Sequence, residues 1–359
     1  YAWKKRNHLF KLKLLKMKFK NLYLGLIASA FLFASCSSDD NTIIDTPLGA
    51  YDNGILILNE GNFGNPNASV SYISNDLMTS QNNIFSVVNP TKVLGDVAQS
   101  LSFSDDKAFI VINNSNEVEV VNRYTFASLG TITEKLENPR YSVVLNNKLY
   151  VTNAISNAIT VYDATTYTYI TSIPVGKTVE KIVVANNKLY VMNGAYSYGN
   201  EVTVISPSTN QVLTTITVED GINSIEEKNG SLYLLCGNNT NSKLFKINTS
   251  TDTATSIEST TIKDAANMDI DGSQIYYTQG GSVYTMPLSA TTFSTTPLFT
   301  TTYVQYSTFY GFAVIDGKIY SGNANGFTAD GIVTVYSNTG TVLKTLTVGI
   351  GPNGFYSNN

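Results

Sequence analysis

The hexapeptide NNKLYV stands at residues 146–151 and again at 186–191. Around both copies the order is the same: a short apolar strand, a turn, the KLYV strand, a polar loop, an alternating strand, a turn and a threonine-rich strand. The same order recurs along the chain in KAFIV around Phe109, SLYLLC around Tyr233, QIYYTQ around Tyr276 and KIYSGN around Tyr320. With Tyr150 and Tyr190, the successive centres are 41, 40, 43, 43 and 44 residues apart. A seventh copy, GILILN around Leu56, stands 53 residues before Phe109, the excess being a loop at about residues 88 to 97. Four strands of five or six residues with their turns need about 40 residues, the period of a propeller blade.

The strand after each polar loop reads EVEVV at 117–121, AITVY at 158–162, EVTVI at 201–205 and IVTVY at 332–336. Period-2 patterning with β-branched and aromatic residues is the strand signature, and residues 51–359 lack helical periodicity. The expected fold is all-β, a seven-bladed β-propeller of four-stranded antiparallel blades. The first repeat lacks an innermost strand, whereas the last has all four and is followed by a spare segment, GPNGFYSN, at 351–358. Pairing that segment into the first blade closes the ring and removes an exposed edge.

The chain begins with a basic stretch, residues 1–16, that reads as upstream of an initiating Met17. Residues 17–35 then form a signal segment: Lys18 and Lys20, an apolar run from Leu22 to Phe33, and the small residues Ala34 and Ser35 before Cys36. That ending resembles a bacterial lipobox, in which the thiol of Cys36 is lipidated, with Phe33 where leucine is usual. Ser37, Ser38, Asp39 and Asp40 follow and resemble the surface-export signal of Bacteroidota lipoproteins. The expected address is the outer membrane, lipid-anchored and exposed at the cell surface. Residues 36–50 are polar and would serve as a tether.

The leader holds eight of the 23 basic residues and no acidic one. The remainder therefore carries 15 basic against 27 acidic residues, a net charge of −12, which repels nucleic-acid phosphates. His8 and Trp3, the sole histidine and tryptophan, lie in the leader too. Without histidine the common catalytic triads and the usual general base are missing, so the residues argue against an enzyme. Cys236, inside the apolar run LYLLCG, reads as a buried inert thiol.

In such a ring two sets of loops meet at one mouth of the central channel, those joining blade to blade and those joining the second and third strands of a blade. Loops of this kind carry function while strands supply packing. The blade-to-blade segments contribute Asp96, Gln99, Arg140, Tyr141, Glu180, Asn223, Asn267 and Tyr310 as candidate ligand-binding residues, and the within-blade loops contribute Asn114, Tyr196, Tyr198, Asn238, Asn323 and Phe327. Amides both donate and accept hydrogen bonds and tyrosine offers a rigid ring with a polar tip, which suits a large polar ligand. Many of the asparagines also fit plain turn chemistry. Arg140 is one of two arginines beyond the leader, and a salt bridge or stacking contact within its loop is its structural alternative. Asp96, Glu180 and Asp264, spaced one to a blade, are the residues a channel calcium ion would use.

The blocks LGDVAQS (94–100), NNSNEVEVV (113–121), NPRY (138–141), FYGFAVIDGKIY (309–320) and VGIGPNGF (348–355) resemble the YncE-like propeller lipoproteins of Bacteroidota. That resemblance covers nearly all of residues 54–359 and implies a seven-bladed surface propeller. Some of those proteins work beside TonB-dependent transporters, and one branch captures cobalamin. The resemblance thus implies ligand capture, with a corrinoid or another bulky polar nutrient as ligand; no cofactor is expected. A protein- or glycan-interaction scaffold and a calcium-dependent hydrolase or lyase are the alternatives.

Overall fold

The computed structural model describes residues 46–196 and 198–359. The expected upstream stretch, signal segment and Cys36 lie outside the described residues, as does most of the expected tether. The described chain forms seven four-stranded antiparallel sheets, a seven-bladed β-propeller.

The repeated motif shows why each blade forms. Asn146 and Asn147, like Asn186 and Asn187, all have positive φ between 47° and 58°. Two consecutive left-handed residues make the tight hairpin turn whose twist matches the flanking strands, and asparagine tolerates that conformation. The KLYV strand that follows is buried from Leu149 to Asn153 on both its faces. The next strand, Ala158–Asp163, is also buried, whereas the outermost, Tyr169–Pro174, mostly alternates between half-buried and exposed. Second and third strands are therefore clamped between neighbouring blades. Phe109, Val111, Val118 and Val120 of the second blade pack with Leu149, Val151 and Tyr162 of the third, and similar clusters fill the other gaps.

Closure follows the expected route. The last strand, Pro352–Asn358, pairs antiparallel with Gly54–Asn59 and becomes the innermost strand of the first blade. Phe355 packs on Tyr320 with ring centroids 5.6 Å apart, joining the last blade to the first. Glycine is required at this seam: a Cβ on Gly322 would stand 2.3 Å from the Pro352 carbonyl oxygen. On the far face Arg123 Nε donates to Asn358 Oδ1 at 2.7 Å, and Asn358 Nδ2 donates to the carbonyls of Tyr51 and Arg123 at 2.6 and 2.9 Å. The chain enters the ring beside this latch, where the Tyr51 N–H bonds to the Tyr124 carbonyl, so it enters on the face opposite the mouth.

One local expectation changes. The extra loop of the first repeat starts earlier than residue 88 and contains a five-residue helix, Ile84–Val88. Ile84 and Phe85 are buried with Tyr51, Tyr72 and Phe126, so the insertion is stitched to the core by two apolar side chains too few to show a helical period. Among the described residues no helix is long and apolar enough to cross a membrane.

Candidate functional site

Each innermost strand begins at the mouth and runs down the channel. Gln99, Arg140, Lys181, Asn223, Asn267, Tyr310 and Asn353 occupy the same place in the seven blades, spaced 41 to 44 residues apart. In five blades the register with the second strand shifts at this place, leaving Gln99, Arg140 with Tyr141, Asn223, Asn267 with Met268, and Asn353 as bulged residues. In the other two, Lys181 and Tyr310 stand one residue ahead of the strands Ile182–Ala185 and Gly311–Ile315. A bulge re-aims a side chain relative to the pleat. The result is one polar side chain per blade around the mouth of a channel of about 740 Å³.

These side chains are held by neighbouring blades. Arg140 meets Glu180 with Nη2 to Oε1 at 2.9 Å and Nε to Oε1 and Oε2 at 2.9 and 3.0 Å, while Nη1 donates to Gln99 Oε1 at 2.6 Å. Arginine's planar fork suits this pairing. Lys181 pairs with Glu226, and the Tyr310 hydroxyl donates to Glu60 Oε2. Three asparagines donate Nδ2 to the backbone of the next blade: Asn223 to Ala265 O at 2.9 Å, Asn267 to Phe309 O at 3.1 Å and Asn353 to Ala98 O at 3.0 Å. Deeper in the channel, Asp269 accepts from the N–H groups of Ile270 at 2.7 Å and Val314 at 2.6 Å. Tyr141, Phe103, Phe312 and Tyr356 supply ring surface.

Burial shapes the titration of this wall. Desolvation raises the carboxyl pKa of Glu60 and Glu180, with Tyr310 and Arg140 respectively the leading opposing partners. Burial, with Glu226 adding to it, pushes Asp269 up to about 6. Burial works against the Lys181 ammonium, yet the Glu226 carboxylate, with Tyr141 and Asp269 adding to it, more than offsets that cost and leaves the pKa raised. Desolvation is the dominant cost wherever a charge is taken from water.

Of the residues expected to bind, Gln99, Arg140, Tyr141, Glu180, Asn223, Asn267 and Tyr310 come together at or in the channel. Phe327 stands at the rim, its ring edge-on to Tyr310 at 4.9 Å. Asp96 and Asn114 instead brace two loops, with Asp96 Oδ2 accepting from Gly64 N–H at 2.9 Å and from Asn114 Nδ2 at 2.6 Å. Asn238 and Asn323 bond to the backbone two or three residues on, which is turn chemistry. Tyr196 and Tyr198 project from the rim, 85% and 79% exposed, beyond the channel wall. The three acids of the calcium expectation go separate ways: Asp96 to its brace, Glu180 to Arg140, and Asp264 to the surface. The expected salt bridge of Arg140 reaches the blade-to-blade segment of the following blade rather than its own loop.

Sequence reasoning passed over Glu60, Lys181, Glu226, Asp269, Asn353 and Tyr356 as wall residues. The register of the ring was a usable signal for Lys181 and Asn353, since both fall on the same spacing as Arg140 and Asn223. Exposed aromatics at Phe63, Tyr303 and Tyr306 also lie on mouth-side loops. Cys236 is buried, and burial pushes its thiol up to about 12, as expected of an inert core cysteine.

Residues 53–349 match the family described as Domain of unknown function (DUF5074). The chain belongs to that family. Among curated proteins none matches the sequence. The DUF5074 ring is similar to a quinonprotein alcohol dehydrogenase-like protein from Bacteroides thetaiotaomicron, with a TM-score of 0.69 at 14% identity over 86% of this chain and 79% of that one. It is similar to a Lactobacillus plantarum protein, with a TM-score of 0.63 at 16% identity over 85% of this chain and 98% of that one. Apo AztD from Citrobacter koseri has a TM-score of 0.54 at 12% identity, over 84% of this chain and 97% of that one. At these identities the likeness shows the fold alone.

Proposed function

We propose that this chain is a surface lipoprotein of YncE-like type, anchored through Cys36 at the outer membrane, that captures a bulky polar ligand at the channel mouth and passes it to a TonB-dependent transporter. A corrinoid is the ligand that the sequence resemblance favours. The observation that carries the capture reading is the polar ring: strand bulges in five blades and strand starts in two set one polar side chain per blade around the mouth, six of them lining a cavity of about 740 Å³. Pockets of roughly 300–1,000 Å³ suit small organic ligands, and a corrinoid, larger than that, would lie across the rim on Tyr196, Tyr198 and Phe327.

A scaffold role is the second reading, favoured by the exposed Phe63, Tyr196, Tyr303 and Tyr306 on loops of one face and by Tyr198 at the strand start beside them. Calorimetric titration of the protein with cyanocobalamin and a panel of glycans separates the two. One-to-one binding that weakens when Tyr196 and Tyr198 are replaced by alanine supports capture. Silence toward every small ligand, with retention of a partner protein on the same face, supports the scaffold.

A further inference from the structure

The channel wall is unbalanced in charge and in hydrogen-bonding capacity. Glu60, Glu226 and Asp269 line it against one ammonium, Lys181, while Arg140 and Glu180 at its edge neutralise each other. Lys181 is taken by Glu226, so among the described residues Asp269 has two backbone N–H groups as its hydrogen-bond partners. The amides add to the imbalance. Asn223, Asn267 and Asn353 spend their N–H groups on the next blade's carbonyls, and the Asn223 oxygen accepts from the Ser224 hydroxyl at 2.8 Å, so among the described residues it is the Asn267 oxygen that adds to the wall an acceptor without a donor. A buried acceptor without a donor is costly, and a site rich in acceptors selects a ligand rich in donors. Tyr141 and Tyr356 line the same channel, and aromatic ring faces attract cations.

We propose that the channel takes the positively charged amino or guanidino group of a ligand, seated between Asp269 and the Glu226–Lys181 pair against the tyrosine rings. This deepens the capture reading and rests on it. An ammonium or guanidinium is all donor and carries the missing charge, whereas a carboxylate or phosphate would add a fourth anion to the wall. The low dielectric of an enclosed channel makes each such pairing stronger than on the surface. The groups facing Asp269 are Glu226, Lys181 and the N–H groups of Ile270 and Val314. Its carboxyl must ionise to bind a cation, so affinity should rise with pH through about 6.

The test is calorimetry of the full chain with spermidine and agmatine, using 1,8-octanediol as the uncharged probe, at pH 8 and pH 5. The expected result is saturable binding of the amines but not the diol, weakened at least tenfold by Asp269→Asn and again at pH 5. Glu226→Gln serves as the second variant if Asp269→Asn does not fold. Asp105→Asn, an exposed acid on the opposite face, should leave affinity unchanged. Equal response to amines and diol, or amine binding indifferent to Asp269 and Glu226, overturns the proposal. If amines are silent while cyanocobalamin or a glycan binds, the charge inference fails and capture stands; if nothing binds, both fail.

Discussion

Deleting residues 352–359 removes the innermost strand of the first blade and opens the ring. Phe355 is 7% exposed against Tyr320, Ile55 and Val335, and losing such a side chain costs about 3–5 kcal/mol. Side chains of Asn353, Tyr356 and Asn358 satisfy backbone groups of Ala98, Leu101, Tyr51 and Arg123, and at about 1 kcal/mol each these bonds add roughly 4 kcal/mol. The total of roughly 7–9 kcal/mol, before the ladder to Gly54–Asn59 is counted, compares with about 5–15 kcal/mol for a whole domain. The truncated chain should therefore retain little native structure at 37 °C. Phe355→Ala gives the graded version: at roughly 2 °C per kcal/mol for a domain this large, its melting temperature should fall by about 6–10 °C. Leu343→Ala, on an exposed outer strand, should stay within about 0.5 kcal/mol of the parent. Circular dichroism melts at 215 nm read all three. A truncated ring that melts within about 2 °C of the full chain, or equal losses for Phe355→Ala and Leu343→Ala, would refute the closure argument.

Arg140→Met should destabilise by about 3–5 kcal/mol, because it strands the buried Glu180 carboxylate, and the double variant Arg140→Met with Glu180→Met should recover much of that loss in a urea titration. The Asp269 carboxyl, followed by carbon NMR and assigned with Asp269→Asn, should titrate near 6 rather than near 3.8. Its folded value is the higher one, so the stability it supplies is present below the unfolded pKa and is lost as pH rises from about 3.8 to about 6. Cys236 should resist iodoacetamide at pH 8 in the native protein and react once the chain is unfolded; labelling within minutes of the native form would contradict its burial. Tyr306, at φ 60° and 76% exposed, has a strained backbone without packing in return, so Tyr306→Gly should leave the melting temperature unchanged or raise it, whereas Phe126→Gly, fully buried at φ 62°, should lower it sharply.

The sequence alone determined the blade, the blade count and the closure. Those features are written in local patterns: Asn-Asn turns that accept positive φ, KLYV strands with apolar residues throughout, and a spare GPNGFYSN segment matching a missing strand. Period and turn chemistry act over ten residues or fewer, so one copy of NNKLYV already carries them, and repetition supplies the count. Gln99, Arg140, Asn223, Asn267 and Tyr310 could be read as mouth residues because they sit at one place in a counted repeat. The fates of Asp96, Asn114, Asn238 and Asn323 could not, since an asparagine that caps its own turn and one that faces a ligand have the same neighbours in sequence. Only the tertiary structure decided that Arg140 bonds Gln99 and Glu180, that Lys181 meets Glu226, and that Asp269 accepts from the backbone N–H groups of Ile270 and Val314. These contacts join positions about 40 residues apart, across blades that converge on one axis, and their geometry depends on bulges that no single strand pattern reveals.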